Sequence, residues 1–137
     1  MDSKPLLKKV FFIDDDEATN AYHKALAKDF NLAEDVQFFG QATEALDVLE
    51  AIESKYEFPQ LIFVDINMPS MTGHEFAERV QDMDGYNENR TCVALLTNSK
   101  DIRDVLKADE NRVEYYYWKP LNDELLKKVL KEGLGID

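Results

Sequence analysis

Acidic side chains follow two short apolar runs, at points where buried strands are predicted to end. Asp65 directly follows the apolar run 61–64. Asp14, Asp15 and Asp16 follow a similar apolar run at residues 10–13. A short apolar run that stops at a polar break is typical of a buried strand. Carboxylates brought close together repel one another, so protons or a cation must compensate. Oxygen ligands at strand ends and loops suit Mg²⁺. The sequence therefore predicts a site that holds a cation and does chemistry on an anion.

Two further polar residues, Thr97 and Lys119, follow later apolar runs. A carboxylate can attack phosphorus as a nucleophile, and a lysine ammonium and a hydroxyl stabilise the charge on phosphoryl oxygens. Taken singly, each of these residues is more often a helix cap, a turn residue or a solvated side chain. Their coincidence at predicted strand ends is what indicates a phosphoryl-handling site.

The elements that must position these residues alternate along the chain. Strands are predicted at 10–13, 36–39, 61–65, 92–97 and 113–118. Each is followed by a helical pattern. In the first helix the predicted apolar face consists of Ala18, Ala21, Tyr22, Ala25, Leu26 and Phe30. Such alternation predicts an α/β fold with a parallel sheet and helices on both faces. Ligands bind such sheets beyond the carboxyl ends of the strands.

Capping signals give predicted helix ends. Thr72 and Glu75 have the spacing of a capping box at the start of the third helix. The last predicted helix begins at about Asn122, where Asp123 and Glu124 suit its positive N-terminal end, and Gly133 is predicted to end it. Asn98 or Ser99 is predicted to cap the fourth helix, whose apolar residues are Ile102, Val105 and Leu106.

Composition limits the class of protein. The chain has 137 residues, enough for one domain spanning 1–137, and 45% of them are hydrophobic. The net charge of −12 argues against non-specific nucleic-acid binding. Cys92 lies in an apolar run and is predicted to pack in the core. His23 and His74 are predicted to have surface or capping roles. No stretch approaches transmembrane length, so the expected location is cytoplasmic, with no membrane partner.

The motif that begins at Asp65 is the most specific in the chain. Met68, Pro69, Met71 and Gly73 follow it in the pattern D-x-x-M-P-x-M-x-G. With the acidic pair after the first strand, this pattern resembles the receiver domain of two-component response regulators, of the single-domain chemotaxis type. The resemblance covers about residues 10–130. It implies a doubly wound (βα)5 flavodoxin-like sandwich whose parallel strands have the order 2-1-3-4-5.

The resemblance also implies a role for each site residue. Asp65 would accept a phosphoryl group and would bind Mg²⁺ together with Asp14, Asp15 and the backbone carbonyl of Asn67. Asp14 would act partly through water. The protein would not be an enzyme beyond its own self-phosphorylation and autodephosphorylation.

Other implied roles concern the phosphoryl oxygens and the switch. Thr97 and Lys119 would each hold a phosphoryl oxygen, and the bond from Lys119 to Pro120 would be cis. Tyr116 would rotate inward when Thr97 moves toward the phosphoryl group. The residue after the threonine is usually very small in this family, so Asn98 is expected to limit access to the site.

The implied partners are proteins of the phosphorelay. A sensor histidine kinase or a histidine phosphotransfer protein would supply the phosphoryl group. A downstream protein would bind the face of helix 4, strand 5 and helix 5, and a phosphorylation-dependent homodimer through that face is a further hypothesis. No output domain is expected after the last helix, so the chain is a protein-binding module, a relay or part of a longer protein.

Two alternatives to this reading stay open, a phosphatase and a degenerate receiver, and a third, a flavin-binding module, is rejected. A haloacid-dehalogenase-type phosphatase would use Asp14 and Asp16 with Thr97 and Lys119, but it leaves the Asp65 motif unexplained. A flavin-binding flavodoxin-like module would need a phosphate loop after the first strand, where three aspartates would repel phosphate. A degenerate receiver would bind partners without phosphorylation.

Overall fold

The computed structural model describes residues 4–98 and 115–136. In chain order its elements are β1 (Leu7–Ile13), α1 (Glu17–Phe30), β2 (Ala33–Phe39), α2 (Ala42–Glu50), β3 (Leu61–Asp65), α3 (Gly73–Gln81), β4 (Cys92–Thr97), β5 (Tyr115–Trp118) and α4 (Asp123–Leu134). The helix α4 is the fifth helix predicted from the sequence. The predicted fourth helix and the predicted first residues of the fifth strand lie outside the described residues.

The five strands form one parallel sheet in the order β2-β1-β3-β4-β5. The predicted fold class and strand order are therefore confirmed. In the register of the sheet, Ile13 pairs with Phe39 and with Val64, and Thr97 pairs with Trp118. Since all strands run in the same direction, the carboxyl ends of β1, β3, β4 and β5 lie along one edge of the sheet.

The core has two layers, one on each face of the sheet. One layer lies under α2 and α3, and the other lies under α1 and α4. Every residue of β3 and β4 is buried, as expected for strands covered on both faces. Phe12 stacks between Phe38 and Phe63, with ring centroids 5.2 and 5.1 Å apart. Cys92 is buried in this second layer, as predicted.

The capping box predicted for α3 and the predicted start of α4 are confirmed, but the predicted end of α4 is wrong. Thr72 and Glu75 form a capping box, and Asn122 accepts a hydrogen bond from the N–H of Leu125. The helix continues past Gly133, and Gly135 ends it with φ of 67°. Gly133 serves packing instead, because a Cβ there would lie 2.7 Å from the Cys92 sulfur.

The predicted face of α1 is correct only at Leu26, which is buried, and at Phe30, which packs against the core. The helix buries His23, Leu26 and Ala27, whereas Tyr22 is 44% exposed and the three predicted core alanines face solvent. The His23 ring stacks on Phe12 with a centroid distance of 4.9 Å. Alanines bury little area, so this ring contact and Leu26 determine which side faces the sheet.

The surface role predicted for the two histidines is contradicted as well, since His23 and His74 are each 3% exposed. The longest described helix, α1, has 14 residues. Within residues 4–98 and 115–136, no helix combines the length and the apolar character needed to cross a bilayer.

Candidate functional site

Three carboxylates meet at the carboxyl edge of the sheet. Asp14 follows β1 directly, Asp15 comes next, and Asp65 is the last residue of β3. Each offers an oxygen within 4.8 Å of the others. Asp14 and Asp65 are buried, at 2% and 8% exposure, and Asp15 is exposed. The neighbouring β1 and β3 bring these residues together because Ile13 and Val64 are paired.

Lys119 supplies positive charge at the site. Its Nζ donates to Asp14 Oδ2 at 2.6 Å and lies 3.6 Å from Asp65 Oδ1. Burial lowers the pKa of Lys119, but the hydrogen bond to Asp14 and the charge of Asp65 outweigh burial and leave it above its ordinary value. Lys119 is therefore held as a cation between two carboxylates. The peptide bond from Lys119 to Pro120 is cis, as expected.

Asp65 has a raised pKa. Burial is the main cause, the Lys119 ammonium acts in the opposite direction, and the charge of Asp14 adds to the rise. The backbone N–H of Asn67 hydrogen-bonds the Asp65 carboxylate and also opposes the rise. A cation bound beside Asp65 would favour its ionised form.

The three carboxylates could together hold a metal ion. They are hard oxygen donors close enough to share one ion, and the exposure of Asp15 leaves room for coordinating waters. Among the described residues, no other group of three acidic, histidine or cysteine side chains meets this geometry.

Asp16 has a different task from the two aspartates before it. Its carboxylate caps α1 by accepting hydrogen bonds from the Ala18 N–H at 3.0 Å and the Thr19 hydroxyl at 2.9 Å. These bonds, first that of Thr19 and then that of Ala18, lower its pKa. The phosphatase alternative needs Asp16 beside Asp14 in the site, and the cap engages this carboxylate instead. Its position directly before a helical pattern is the sequence signal for that role.

Thr97, Asn98 and Tyr116 lie on the side of β4 and β5. Thr97 ends β4, is fully buried, and accepts the Lys119 N–H through its carbonyl at 2.8 Å. Asn98 is the next residue and is exposed. Tyr116 is partly buried and packs against the core layer under α2 and α3. Since Thr97 pairs with Trp118, alternation places Tyr116 on the same face of the sheet as Thr97.

Sequence reasoning missed Asn20, whose side-chain Nδ2 donates to the backbone carbonyl of Asp14 at 2.8 Å. It also gave Gly73 no structural role beyond the motif. A Cβ at Gly73 would lie 2.8 Å from the carbonyl oxygen of Asp65, so α3 begins directly against the peptide that follows this residue. The glycine in the motif was the available signal for this contact, whereas Asn20 had none.

Comparison with known proteins identifies one family. The sequence model of one family, the response regulator receiver domain, matches residues 10–131 of this chain. A two-component response regulator from Cytophaga hutchinsonii has 28% identity and a TM-score of 0.81, with 98% of this chain and 100% of that chain covered. The chemotaxis protein CheY4 of Vibrio cholerae has 27% identity and a TM-score of 0.74, with 93% and 99% covered.

Curated relatives are longer than the region they share with this chain. The sensor histidine kinase CheAY of Helicobacter pylori is 30% identical over 98 residues, which are 71% of this chain and 12% of that protein. The chain covers 41% and 62% of two further relatives.

Proposed function

The chain belongs to the family of response regulator receiver domains, and we propose that Asp65 is its phosphoacceptor in a Mg²⁺-dependent reaction. The observation that carries the proposal is the position of Asp65. Its carboxylate ends β3 at the edge of the sheet, with Asp14 and Asp15 within 4.8 Å and Lys119 at 3.6 Å. The single receiver domain would span residues 1–137.

The reaction would transfer a phosphoryl group from a phosphohistidine. An oxygen of Asp65 attacks phosphorus, the P–N bond breaks, and its electron pair stays on the imidazole nitrogen, which then takes a proton from solvent. The product is an acyl phosphate on Asp65. Mg²⁺ held by Asp14, Asp15, Asp65 and the Asn67 carbonyl would neutralise charge on the phosphoryl oxygens.

Lys119 and Thr97 would hold the other phosphoryl oxygens. Lys119 is already a cation beside Asp65, so its ammonium needs only a small displacement to pair with a new oxygen. The Thr97 hydroxyl would turn toward another oxygen, and Tyr116 would move into the vacated space on the same face of the sheet. This change would bias a two-state equilibrium of the surface that includes β5 and α4.

The proposed phosphodonor is a sensor histidine kinase or a histidine phosphotransfer protein in the cytoplasm. The family and the relative that is itself a sensor histidine kinase support this donor class. The proposed output is a downstream protein, or a second phosphorylated copy, bound through the face that β5 and α4 share with the predicted fourth helix. Trp118, 51% exposed on β5, would belong to that face.

Intact-protein mass after incubation with acetyl phosphate tests the proposal. The wild type should gain one phosphoryl unit with Mg²⁺ and none with EDTA, and Asp65→Ala should gain none. The control is Asp47→Ala, which removes an exposed carboxylate of α2 and should behave as the wild type. Labelling that persists in Asp65→Ala and disappears in Asp14→Ala would refute the assignment. A beryllofluoride-induced change in Trp118 fluorescence gives a second readout.

A further inference from the structure

A side chain from α1 forms a hydrogen bond with the backbone of the acidic loop, residues 14–16. The strand β2 ends at Phe39, so the ladder between β1 and β2 stops before the carbonyl of Asp14. Beyond the end of the ladder, Asn20 supplies the hydrogen bond to the Asp14 carbonyl, because its Nδ2 donates to that oxygen at 2.8 Å. The same Nδ2 lies 3.4 Å from the carbonyl oxygen of Phe39. The Asp14 N–H donates to the same Phe39 oxygen at 3.0 Å. One amide thus joins α1 to the ends of two strands.

This contact bears on both Asp14 and Asp15. The Asp14 carbonyl and the Asp15 nitrogen belong to one planar peptide unit, so the bond from Asn20 fixes the direction in which the chain enters Asp15. The carboxylate of Asp14 has its own partners, the N–H of Asp16 at 3.0 Å and Lys119 at 2.6 Å. The exposed Asp15 depends more on the orientation of its backbone.

Stability of the helix does not account for an asparagine here. Asparagine is a weak helix former, yet Asn20 lies in the first turn of α1, where its N–H bonds the Asp16 carbonyl at 3.1 Å. Its Oδ1 is buried and makes no hydrogen bond with the part of the chain that the structure describes. The reversed amide would place Oδ1 against two carbonyl oxygens, so Nδ2 must face them.

We propose that Asn20 is a positioning residue of the acidic site, which orients the peptide between Asp14 and Asp15 and so sets the affinity of the site for a divalent cation. This inference rests on the part of the proposed function that assigns Mg²⁺ to the three carboxylates. Partners that orient metal ligands commonly change affinity by about 10–100-fold when they are removed.

Calorimetric titration of the phosphate-free protein with MgCl₂ tests this role without any reaction. Asn20→Leu keeps the size of the side chain and removes the donor, and its Kd for Mg²⁺ should rise about tenfold. Asn20→Gln keeps an amide donor and should recover part of the affinity. The control is Gln37→Leu, which removes an amide that bonds Asp35 at 3.0 Å on β2 and should bind Mg²⁺ as the wild type does.

The outcomes separate this inference from the proposed function. A folded Asn20→Leu with wild-type Kd overturns the positioning role, even if its melting temperature falls. Should that variant fail to fold, Asn20→Ala is titrated with the same criterion. A wild type that binds Mg²⁺ but accepts no phosphoryl group refutes the proposed function alone, while a difference in Kd between wild type and variant still supports the role of Asn20.

Discussion

Removal of Lys119 should destabilise the protein and make its stability depend strongly on Mg²⁺. Lys119 is a counter-charge for two buried carboxylates, at 2.6 Å from Asp14 and 3.6 Å from Asp65. Lys119→Met keeps the length of the side chain and removes the charge. The two carboxylates, with Asp15 beside them, then repel one another without compensation.

The magnitude follows from the burial of the pair. The side chains of Lys119 and Asp14 are 13% and 3% exposed, so water screens their interaction poorly. Loss of one partner of a buried ion pair costs about 3–5 kcal/mol. Since Lys119 lies at an open edge of the sheet, we expect the lower end, about 3 kcal/mol. For a domain of this size that corresponds to a fall in Tm of about 10 °C.

The assay is thermal unfolding followed by circular dichroism, in EDTA and in MgCl₂. In Lys119→Met the cation becomes the main counter-charge, so Mg²⁺ should raise the Tm of this variant more than that of the wild type. The control is Lys8→Met, which breaks the exposed pair with Glu57 and should leave the Tm close to that of the wild type with no added Mg²⁺ dependence. Equal Mg²⁺ effects on the wild type and Lys119→Met would refute the reasoning.

Three further predictions concern other parts of the chain. Gly73→Ala should lower the free energy of unfolding by about 1–3 kcal/mol, measured by urea unfolding, and should slow phosphoryl uptake. The reason is that its Cβ would lie 2.8 Å from the Asp65 carbonyl oxygen. The control is Gly40→Ala, whose Cβ would have no atom within 4 Å. Asn98→Ala should speed self-phosphorylation from small donors or change the phosphoryl lifetime, and mass time courses with both rates unaltered would reject this. Burial lowers the pKa of His23 from 6.5 to about 4, so the unfolded state binds the proton first and stability falls as pH drops through that window. The wild type should lose up to about 2 kcal/mol between pH 7 and pH 5 relative to His23→Gln in urea unfolding, and parallel curves would contradict this.

The acidic edge could be predicted because its signals are local. Each apolar run ends at a polar residue, and parallel strands bring such ends to one edge, so Asp14, Asp15, Asp65 and Lys119 were readable as one group. The strand order was not local information. Periodicity gives five strands without saying which are neighbours, and the order came only from the family resemblance carried by the motif at Asp65.

Contacts between a side chain and a distant backbone could not be predicted in this way. The role of Asn20 depends on β2 ending at Phe39, two residues before α2 has its N-cap at Gln41. The face of α1 depends on the ring of Phe12, on which His23 stacks. Hydropathy counts His23 as polar and cannot register this contact.

The three consecutive aspartates show why composition alone overstates the charge of a site. Asp14 is paired with Lys119, Asp15 faces solvent, and Asp16 is engaged by the first turn of α1. The helix N-terminus favours the negative charge of Asp16, so this carboxylate stays ionised while its oxygens are used by the cap. The site therefore offers three carboxylates and one ammonium. A site with only a few protein oxygens and room for waters suits Mg²⁺ better than Ca²⁺, which takes 6–8 oxygen ligands. The cap on α1 thus contributes to the cation preference that we propose for the site.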